Sequence, residues 1–529
     1  MINLQKISYT HPNKDILFTN INITINPSDK IALVGNNGSG KSTLLQLIAK
    51  KLIPTSGQII NNSKVYYIPQ IYGQYDHYTV AEALGIADKL HAMREIIQGS
   101  VSEKHFELLD NDWQIEDKCI EALKKWEIPE NNMFRKIGQL SGGQKTKVFL
   151  AGTELHNADI LLMDEPSNHL DSHSRNLLYN CIESTNHGLM IVSHDRQLLN
   201  LTKKTYELSH GQVKIYGGNY NFYQLQKEHE LETQVLQIQS KEKDLKKAKE
   251  QERKTLERFE RTNARGKKKQ ENAGISRIMM NTLRNAAENS TSKAKDVHRS
   301  KITNISTDLT ALRSDLLSLP TIKLNIENSG LHRGKTIYQA CDLNVRVAGK
   351  LLWNKGIQLH IESGDRISLR GNNGSGKTTL INILLGKIKA DEGSLKSATV
   401  KSIYFDQDYS LIEDQKSIYE MAQSFNDGGL EEHEVKIRLN RFLFPSDTWG
   451  TLCSSLSGGQ RVKLILCCLT ICEKSPDILF MDEPTNNIDI QSMDILTKTL
   501  SDYQGTLVVV SHDETFLSRL NINRTITLG

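Results

Sequence analysis

Apolar positions along the 529 residues fall into three regimes. From Asn3 to Asn26 they alternate with polar ones around the loop His11-Pro12-Asn13-Lys14, the period-2 pattern of half-buried strands. Short unbroken runs follow: Lys30-Ile31-Ala32-Leu33-Val34, Val65-Tyr66-Tyr67-Ile68, Ile160-Leu161-Leu162-Met163 and Leu189-Met190-Ile191-Val192. Such runs read as strands buried on both faces of a sheet. Between them, Leu44, Leu45, Leu47 and Ile48, then Val148, Leu150 and Leu155, carry helical character. The strand pattern restarts over Ile322 to His360 and continues into Arg366-Ile367-Ser368-Leu369-Arg370 and the helical set Leu380, Ile381, Ile383 and Leu384. The third regime separates the two copies. Gln224 to Leu319 holds no proline, and Pro320 marks its exit. Leu231, Val235, Ile238, Leu245, Ala248, Leu256 and Phe259 form a loose heptad, and Ile302, Ile305, Leu309, Leu312, Leu316 and Leu319 a strict one. Two such helices flanking a polar tip predict an antiparallel helical hairpin. About 40 residues in the first helix would span roughly 60 Å at 1.5 Å per residue.

Chemistry enters at the glycine loops. Gly35-Asn36-Asn37-Gly38-Ser39-Gly40-Lys41-Ser42, followed by Thr43, stands between the first buried run and its helix. Gly371-Asn372-Asn373-Gly374-Ser375-Gly376-Lys377-Thr378, followed by Thr379, stands in the same place in the second copy. Strand, glycine turn and helix is the context of a P-loop. Its glycines let successive N–H groups converge on phosphate oxygens, and the helix N-terminus adds its positive end. Lys41 and Lys377 would reach the β- and γ-phosphates, and the Ser42 and Thr378 hydroxyls would ligate Mg²⁺.

The remaining motifs keep one order in both copies. A strand ending at Gln70, matched by Gln407, offers a contact to Mg²⁺ or the attacking water. Leu140-Ser141-Gly142-Gly143-Gln144 and Leu456-Ser457-Gly458-Gly459-Gln460 each open a helix with a phosphate-binding end. Asp164 and Asp482 close apolar strands, where a carboxylate can hold Mg²⁺. Glu165 and Glu483 follow and point the other way, placed to polarise a water in line with the γ-phosphate. His194 and His512, at the ends of further strands, could donate to that phosphate. Tyr9 is placed either to stack on an adenine ring or to fill the core edge. Its second-half counterpart falls near Arg346 and Val347, where Arg346 could cover the ring by cation–π contact.

This series resembles an ABC-type ATPase over most of the chain. The resemblance implies an α/β fold, two P-loop ABC-type ATPase domains joined by a long antiparallel α-helical hairpin, with ATP and Mg²⁺ as cofactors. It also implies head-to-tail closure over two ATP molecules. Lys41 and Glu165 would then face Ser457 and Gly459, and Lys377 and Glu483 would face Ser141 and Gly143. Both carboxylate pairs and both histidines are present, so two hydrolytic sites are expected. Asn487 stands where the first copy has His169, which could make them unequal.

Charge changes the picture in the middle of the chain. The net charge is +4, yet Lys241 to Lys301 alone holds 19 Lys/Arg against 9 Asp/Glu, a net of +10. The rest therefore carries −6. A one-signed helix pair whose tip holds Ile278, Met279, Met280 and Leu283 points to a polyanion. Arg265, Lys267, Lys268, Lys269, Arg277, Met279, Met280 and Arg284 are the candidate RNA contacts. Two ABC domains joined by such a hairpin, entered through Gly217-Gly218-Asn219-Tyr220-Asn221-Phe222-Tyr223, resemble the ABC-F family. In that family the hairpin enters the tRNA exit site of the 70S ribosome, toward rRNA, P-site tRNA and the peptidyl-transferase centre. Some members tune translation and others protect ribosomes from antibiotics.

The expected domains are residues 1–223 and 321–529, both ATPase, with the linker at 224–320. The first has a short arm inserted near 86–126, because Gln70 lies 70 residues from Leu140 whereas Gln407 lies 49 from Leu456. A short arm, a long linker and no basic C-terminal extension lean toward the resistance members. A housekeeping translation factor and a DNA-binding ABC-F relative remain alternatives. A transporter subunit fits poorly, because no apolar run reaches the ~18 residues of a membrane span. Chromosome-structuring ATPases usually split each ATPase unit with their coil, and here each unit is whole. Seven cysteines without a CxxC pair fit a reducing, cytoplasmic setting. The expected assembly is a monomer whose two ATPase domains pair with each other.

Overall fold

The computed structural model describes residues 1–12, 15–129, 133–271, 292, 296–310, 312 and 331–528, except 348, 373, 474 and 487. Side chains at 263, 264 and 266–271 are not described. The chain divides into two compact units, Met1–Phe222 with Ile322–Gly529, and Tyr223–Thr321.

In the first unit each copy of the repeat builds the same layers. The first copy has a six-stranded sheet in the order β5-β6-β7-β3-β8-β9, comprising Val65–Ile68, Ile160–Asp164, Gly188–Val192, Lys30–Val34, Lys204–Ser209 and Gln212–Tyr216. The first five strands are parallel and the last is antiparallel to its neighbour. Every residue of β6 and β7 is buried, as unbroken apolar runs between two helical layers require. An antiparallel sheet of β2 (Ile16–Ile25), β1 (Ile2–Thr10) and β4 (Ser56–Asn61) packs beside it. Ile2, Leu4, Ile7, Ile23 and Ile25 face Leu44, Leu45 and Leu47 of the helix Lys41–Ile48 in one core. The second copy repeats this as a five-stranded parallel sheet, β16-β17-β18-β14-β19, comprising Ser402–Phe405, Ile478–Asp482, Thr506–Val510, Arg366–Arg370 and Arg524–Thr527. Its antiparallel sheet has Ile357–Glu362, Thr336–Asn344 and Glu392–Ser397 in the order β13-β10-β15.

The extra residues of the first copy form helices Ala87–Ile97, Glu103–Leu109 and Ile115–Lys125. Their Leu90, Met93, Leu109, Ile115, Cys119, Leu123 and the following Trp126 share a core with Val148, Phe149 and Leu150 of the helix Gly142–Leu155. Leu90, Ala92 and Met93, then Ile115, Cys119, Ala122 and Leu123, are the inward faces that a helical period produces.

The second unit holds most of the helix Tyr220–Glu271, 52 residues or about 78 Å at 1.5 Å per residue. Ile238 and Ala248 on it, and Leu309 on the return segment, are buried, and Lys241 pairs with Asp308 at 2.8 Å. An early residue of one helix meeting a late residue of the other is an antiparallel pairing. Arg265 is exposed. The side chains of Lys267, Lys268 and Lys269, and all of Arg277, Met279, Met280, Leu283 and Arg284, lie outside the described residues. No described helix is long and apolar enough to cross a membrane.

Candidate active site

Both glycine loops sit at the C-terminal ends of central strands, where a parallel sheet leaves a crevice. Gly40 (φ 97°) and Gly376 (φ 89°) cap their helices in the left-handed region. A Cβ on either would lie 2.6 Å from a leucine methyl, that of Leu17 or Leu352. Glycine is thus required twice over, by backbone conformation and by space.

Lys41 and Lys377 are 8% and 9% exposed. Lys41 Nζ donates to the carbonyls of Gly35 (2.8 Å) and Asn36 (3.0 Å), and Lys377 Nζ to those of Gly371 (2.7 Å) and Asn372 (3.1 Å). Each ammonium therefore holds its own loop in a ring. Burial lowers both lysine pKa values, and the adjacent carboxylates oppose the shift. Ser39 Oγ and Ser375 Oγ are buried with no hydrogen-bond partner among the described residues, and both belong to the loops that would take the phosphates.

Asp164 and Asp482 are buried where their strands end. Thr378 Oγ1 donates to Asp482 Oδ2 at 2.5 Å, and Ser42 makes the equivalent bond to Asp164. Tyr404 OH (3.2 Å) and Tyr67 OH (3.4 Å) approach the same carboxylates. Asp164 Oδ1 has no hydrogen-bond partner among the described residues, and burial pushes the Asp164 pKa up to about 6. One carboxylate, one hydroxyl and a nearby glutamine suit a hard cation that takes its other ligands from phosphate and water. No cluster of three or more metal-binding side chains of the His, Cys, Asp or Glu type occurs among the described residues.

Glu165 (φ 52°) and Glu483 (φ 51°) occupy the left-handed region, uncommon for a non-glycine residue and found in both copies. Their amides bond to the carbonyls of Val192 (2.8 Å) and Val510 (2.9 Å), which turns each carboxylate out of its strand toward the histidine of the next. His194 Nε2 lies 3.3 Å from Glu165 Oε1, and His512 Nε2 lies 3.3 Å from Glu483 Oε1. Burial raises the Glu483 carboxyl to about 7 and lowers His512 to about 4. It shifts Glu165 and His194 in the same directions. Each pair is thus a neutral imidazole beside a carboxyl whose ionisation is poised near neutral pH, able to act as a base, rather than a full ion pair.

Two cavities join the copies head to tail. One, of about 460 Å³, brings Gly374, Gly376, Lys377, Thr378, Thr379, Gln407, Asp482, Glu483 and His512 together with Ser141 and Gly143. The other, of about 410 Å³, brings Gly38, Gly40, Lys41, Ser42, Thr43, Gln70, Asp164, Glu165 and His194 together with Ser457. Both signature serines cap their helices, Ser141 Oγ accepting from Gln144 N–H (3.3 Å) and Ser457 Oγ from Gln460 N–H (3.4 Å).

Three residues depart from expectation. Gly458, not Gly459, lines the first-copy cavity; a Cβ on Gly459 would meet Ser492 Oγ at 2.9 Å. His11 and Leu17 supply the wall expected of Tyr9, whose ring packs edge-on to His11 at 5.6 Å and against Phe18. Arg346 pairs with Glu392 at 3.1 Å, while Val347 and Leu352 line the second cavity. His169, expected to distinguish the two sites, stands on the wall of that cavity, beside Leu170 and Arg175, which the sequence did not point to. Asn487 lies outside the described residues.

Fold and site together define a tandem P-loop ATPase with composite nucleotide sites. The ABC transporter family profile matches residues 18–168 and 354–486. The ATP-binding protein Uup of Haemophilus influenzae is 31% identical over 95% of this chain and 75% of its own. The ribosome protection protein VmlR of Bacillus subtilis is 28% identical over 98% of this chain and 85% of its own. In structure, RNase-L Inhibitor aligns over 98% of this chain and 87% of its own with a TM-score of 0.55 at 17% identity, a likeness of fold. The chain belongs to the ABC ATPases, in their ABC-F family, and it binds and hydrolyses ATP.

Proposed function

We propose that this ATPase is a nucleotide-gated clamp on the bacterial 70S ribosome, working in the cytoplasm. One observation carries the reading: a helical hairpin whose segment Lys241 to Lys301 carries a net charge of +10 is inserted between two intact composite ATP sites. The VmlR name and the near full-length match to it support a ribosomal partner over a membrane one.

In each site the glycine-loop amides and Lys41 or Lys377 hold the β- and γ-phosphates. Ser42, Asp164 and Gln70 would hold Mg²⁺ in one site, and Thr378, Asp482 and Gln407 in the other, where it would supply positive charge to offset that of the phosphates. Glu165 and Glu483 take the proton of the attacking water, and His194 and His512 orient carboxyl and phosphate. The signature ends at Ser141, Gly143, Ser457 and Gly458 close each site from the opposite copy. Closure favours the ribosome-bound pose, and hydrolysis releases it. Shifting such a gate from 1:99 to 99:1 takes about 5.5 kcal/mol of differential affinity.

The basic hairpin would enter the tRNA exit site and reach toward rRNA and P-site tRNA, with its contacts made mainly to phosphates. There it protects the ribosome from a drug bound near the peptidyl-transferase centre. The same basic hairpin and paired ATP sites would also serve a second reading, a translation factor that relieves stalled ribosomes. Adding 70S ribosomes is expected to raise steady-state ATP turnover at least several-fold. Stimulation by duplex DNA or lipid vesicles instead would contradict the ribosomal reading. Alanine at Met279, Met280 and Leu283 should restore drug susceptibility while preserving ribosome binding. Unchanged susceptibility would leave the translation-factor reading.

A further inference from the structure

The two composite sites differ in what the opposite copy brings to them. In each copy an aspartate caps the helix that follows the carboxylate strand. Asp171 accepts from Ser174 N–H at 2.9 Å ahead of helix Ser172–Ser184, and Asp489 from Ser492 N–H at 2.6 Å ahead of helix Ile490–Asp502. Aligning the helices on these caps pairs Ser172 with Ile490 and Arg175 with Met493.

The first helix brings Arg175 into the second-copy site and Ser172 against that site's histidine. Arg175, 9% exposed, lines the cavity that holds Lys377, Glu483 and His512. Its Nε–H donates to the Leu170 carbonyl at 3.2 Å, which fixes the plane of the guanidinium. Ser172 Oγ lies 3.1 Å from His512 Nδ1, a contact that crosses between the copies. At the matching positions the other helix offers no equivalent. Ile490 has no hydrogen-bonding group, and Met493 is buried in the apolar core. In the first-copy site His194 Nδ1 is buried without a partner among the described residues.

A guanidinium supplied from across a nucleotide site has a clear use in phosphoryl transfer. Charge spreads over the γ-phosphoryl oxygens in the transition state, and a fixed planar fork stabilises it without reorganising. A hydroxyl bonded to Nδ1 selects the imidazole tautomer and holds Nε2 toward its target. At the positions matching Ser172 and Arg175, the partner helix brings neither device to the first-copy site.

We propose that Arg175, as a catalytic residue, and Ser172, as a positioning residue, act in trans, and that they make the second-copy site, with Lys377 and Glu483, the faster hydrolytic site. The first-copy site then retains its triphosphate longer and keeps the halves together while the other turns over.

The test isolates each site in the full-length protein. Glu165→Gln leaves only the second-copy base, and Glu483→Gln only the first-copy base. Single-turnover phosphate formation is measured with protein in excess over ATP, with and without Arg175→Met, the residue of the opposite helix. The Glu165→Gln background should form phosphate faster than the Glu483→Gln background. Arg175→Met should slow the former at least tenfold more than the latter, with nucleotide affinity changed less than threefold. Arg175→Lys, which keeps the charge but loses the fork, should restore part of the rate, and Ser172→Ala should slow the same background several-fold. A residue serving only folding or closure would slow both backgrounds alike, and that result would overturn the proposal. So would silence in both single backgrounds, because the sites would then be inseparable. The proposal rests on Glu165 and Glu483 as the bases. If the paired Gln substitutions left hydrolysis intact, that earlier assignment would fail, which is a different outcome from equal effects of Arg175→Met.

Discussion

Replacing Glu165 and Glu483 together with glutamine should lower ATP turnover by about two to four orders of magnitude, the usual contribution of a positioned general base. ATP affinity should hold, because the substitution keeps shape and leaves the phosphate-holding loops untouched. Measuring turnover alongside equilibrium binding of labelled ATP checks both halves of this expectation. The same variant carries a stability signature. The Glu483 carboxyl titrates near 7 in the folded protein because it is buried, against about 4.5 for its ordinary value. Its contribution is therefore fully present below about pH 4.5 and lost as pH rises through 7. Without nucleotide, the double variant should gain in Tm relative to the parent as pH rises from 6 to 8.5. A difference that stays constant over that range would mean the carboxyls are not held neutral.

The second large effect is on binding. Alanine at both Lys41 and Lys377 should weaken ATP at least tenfold, and about a thousandfold if the loops also collapse. Truncating one partner of a buried, hydrogen-bonded charge pair costs about 2–5 kcal/mol. These lysines also bridge two loop carbonyls each, so their removal loosens the cradle before any nucleotide arrives. The stabilisation produced by ATP, about 2.7 kcal/mol at a hundred times Kd, should fall at the same concentration to about 1.4 kcal/mol after a tenfold loss of affinity and to nearly nothing after a thousandfold one. A variant that still shows the full thermal shift would place the phosphates elsewhere.

The nucleotide motifs were legible because each is a short contiguous run whose chemistry depends on its own backbone. The glycine loops, the capped signature helices and the Asp-Glu strand ends need only local geometry to be recognised. Residues whose role depends on register were harder. Between Leu4 and Thr10 the pairing of β1 with β2 shifts three times. Each shift changes which side chain faces the core, so Tyr9 turns inward and His11 takes the cavity wall. Arg346 was misread because Glu392, on a strand 46 residues away, holds it. Ser172 and Arg175 carry no local signal at all. Their meaning comes from the other copy across the cavity, and only a cap-to-cap comparison with Ile490 and Met493 exposes the difference. The helices within 87–125 were read as an inserted arm because spacing alone reports length. It does not report that Leu90, Cys119 and Trp126 join the core beside Phe149.

Sedimentation through sucrose tests the central claim most directly. The double glutamine variant, mixed with 70S ribosomes and ATP, should pellet with them, and should float free with ADP or when residues 224–320 are replaced by a short flexible linker. Rising salt should release the intact variant, as phosphate contacts require. If the protein without its hairpin still pelleted with ribosomes in ATP as the intact variant does, the ATPase halves alone would be the ribosome-binding part and the clamp-and-hairpin account would be contradicted.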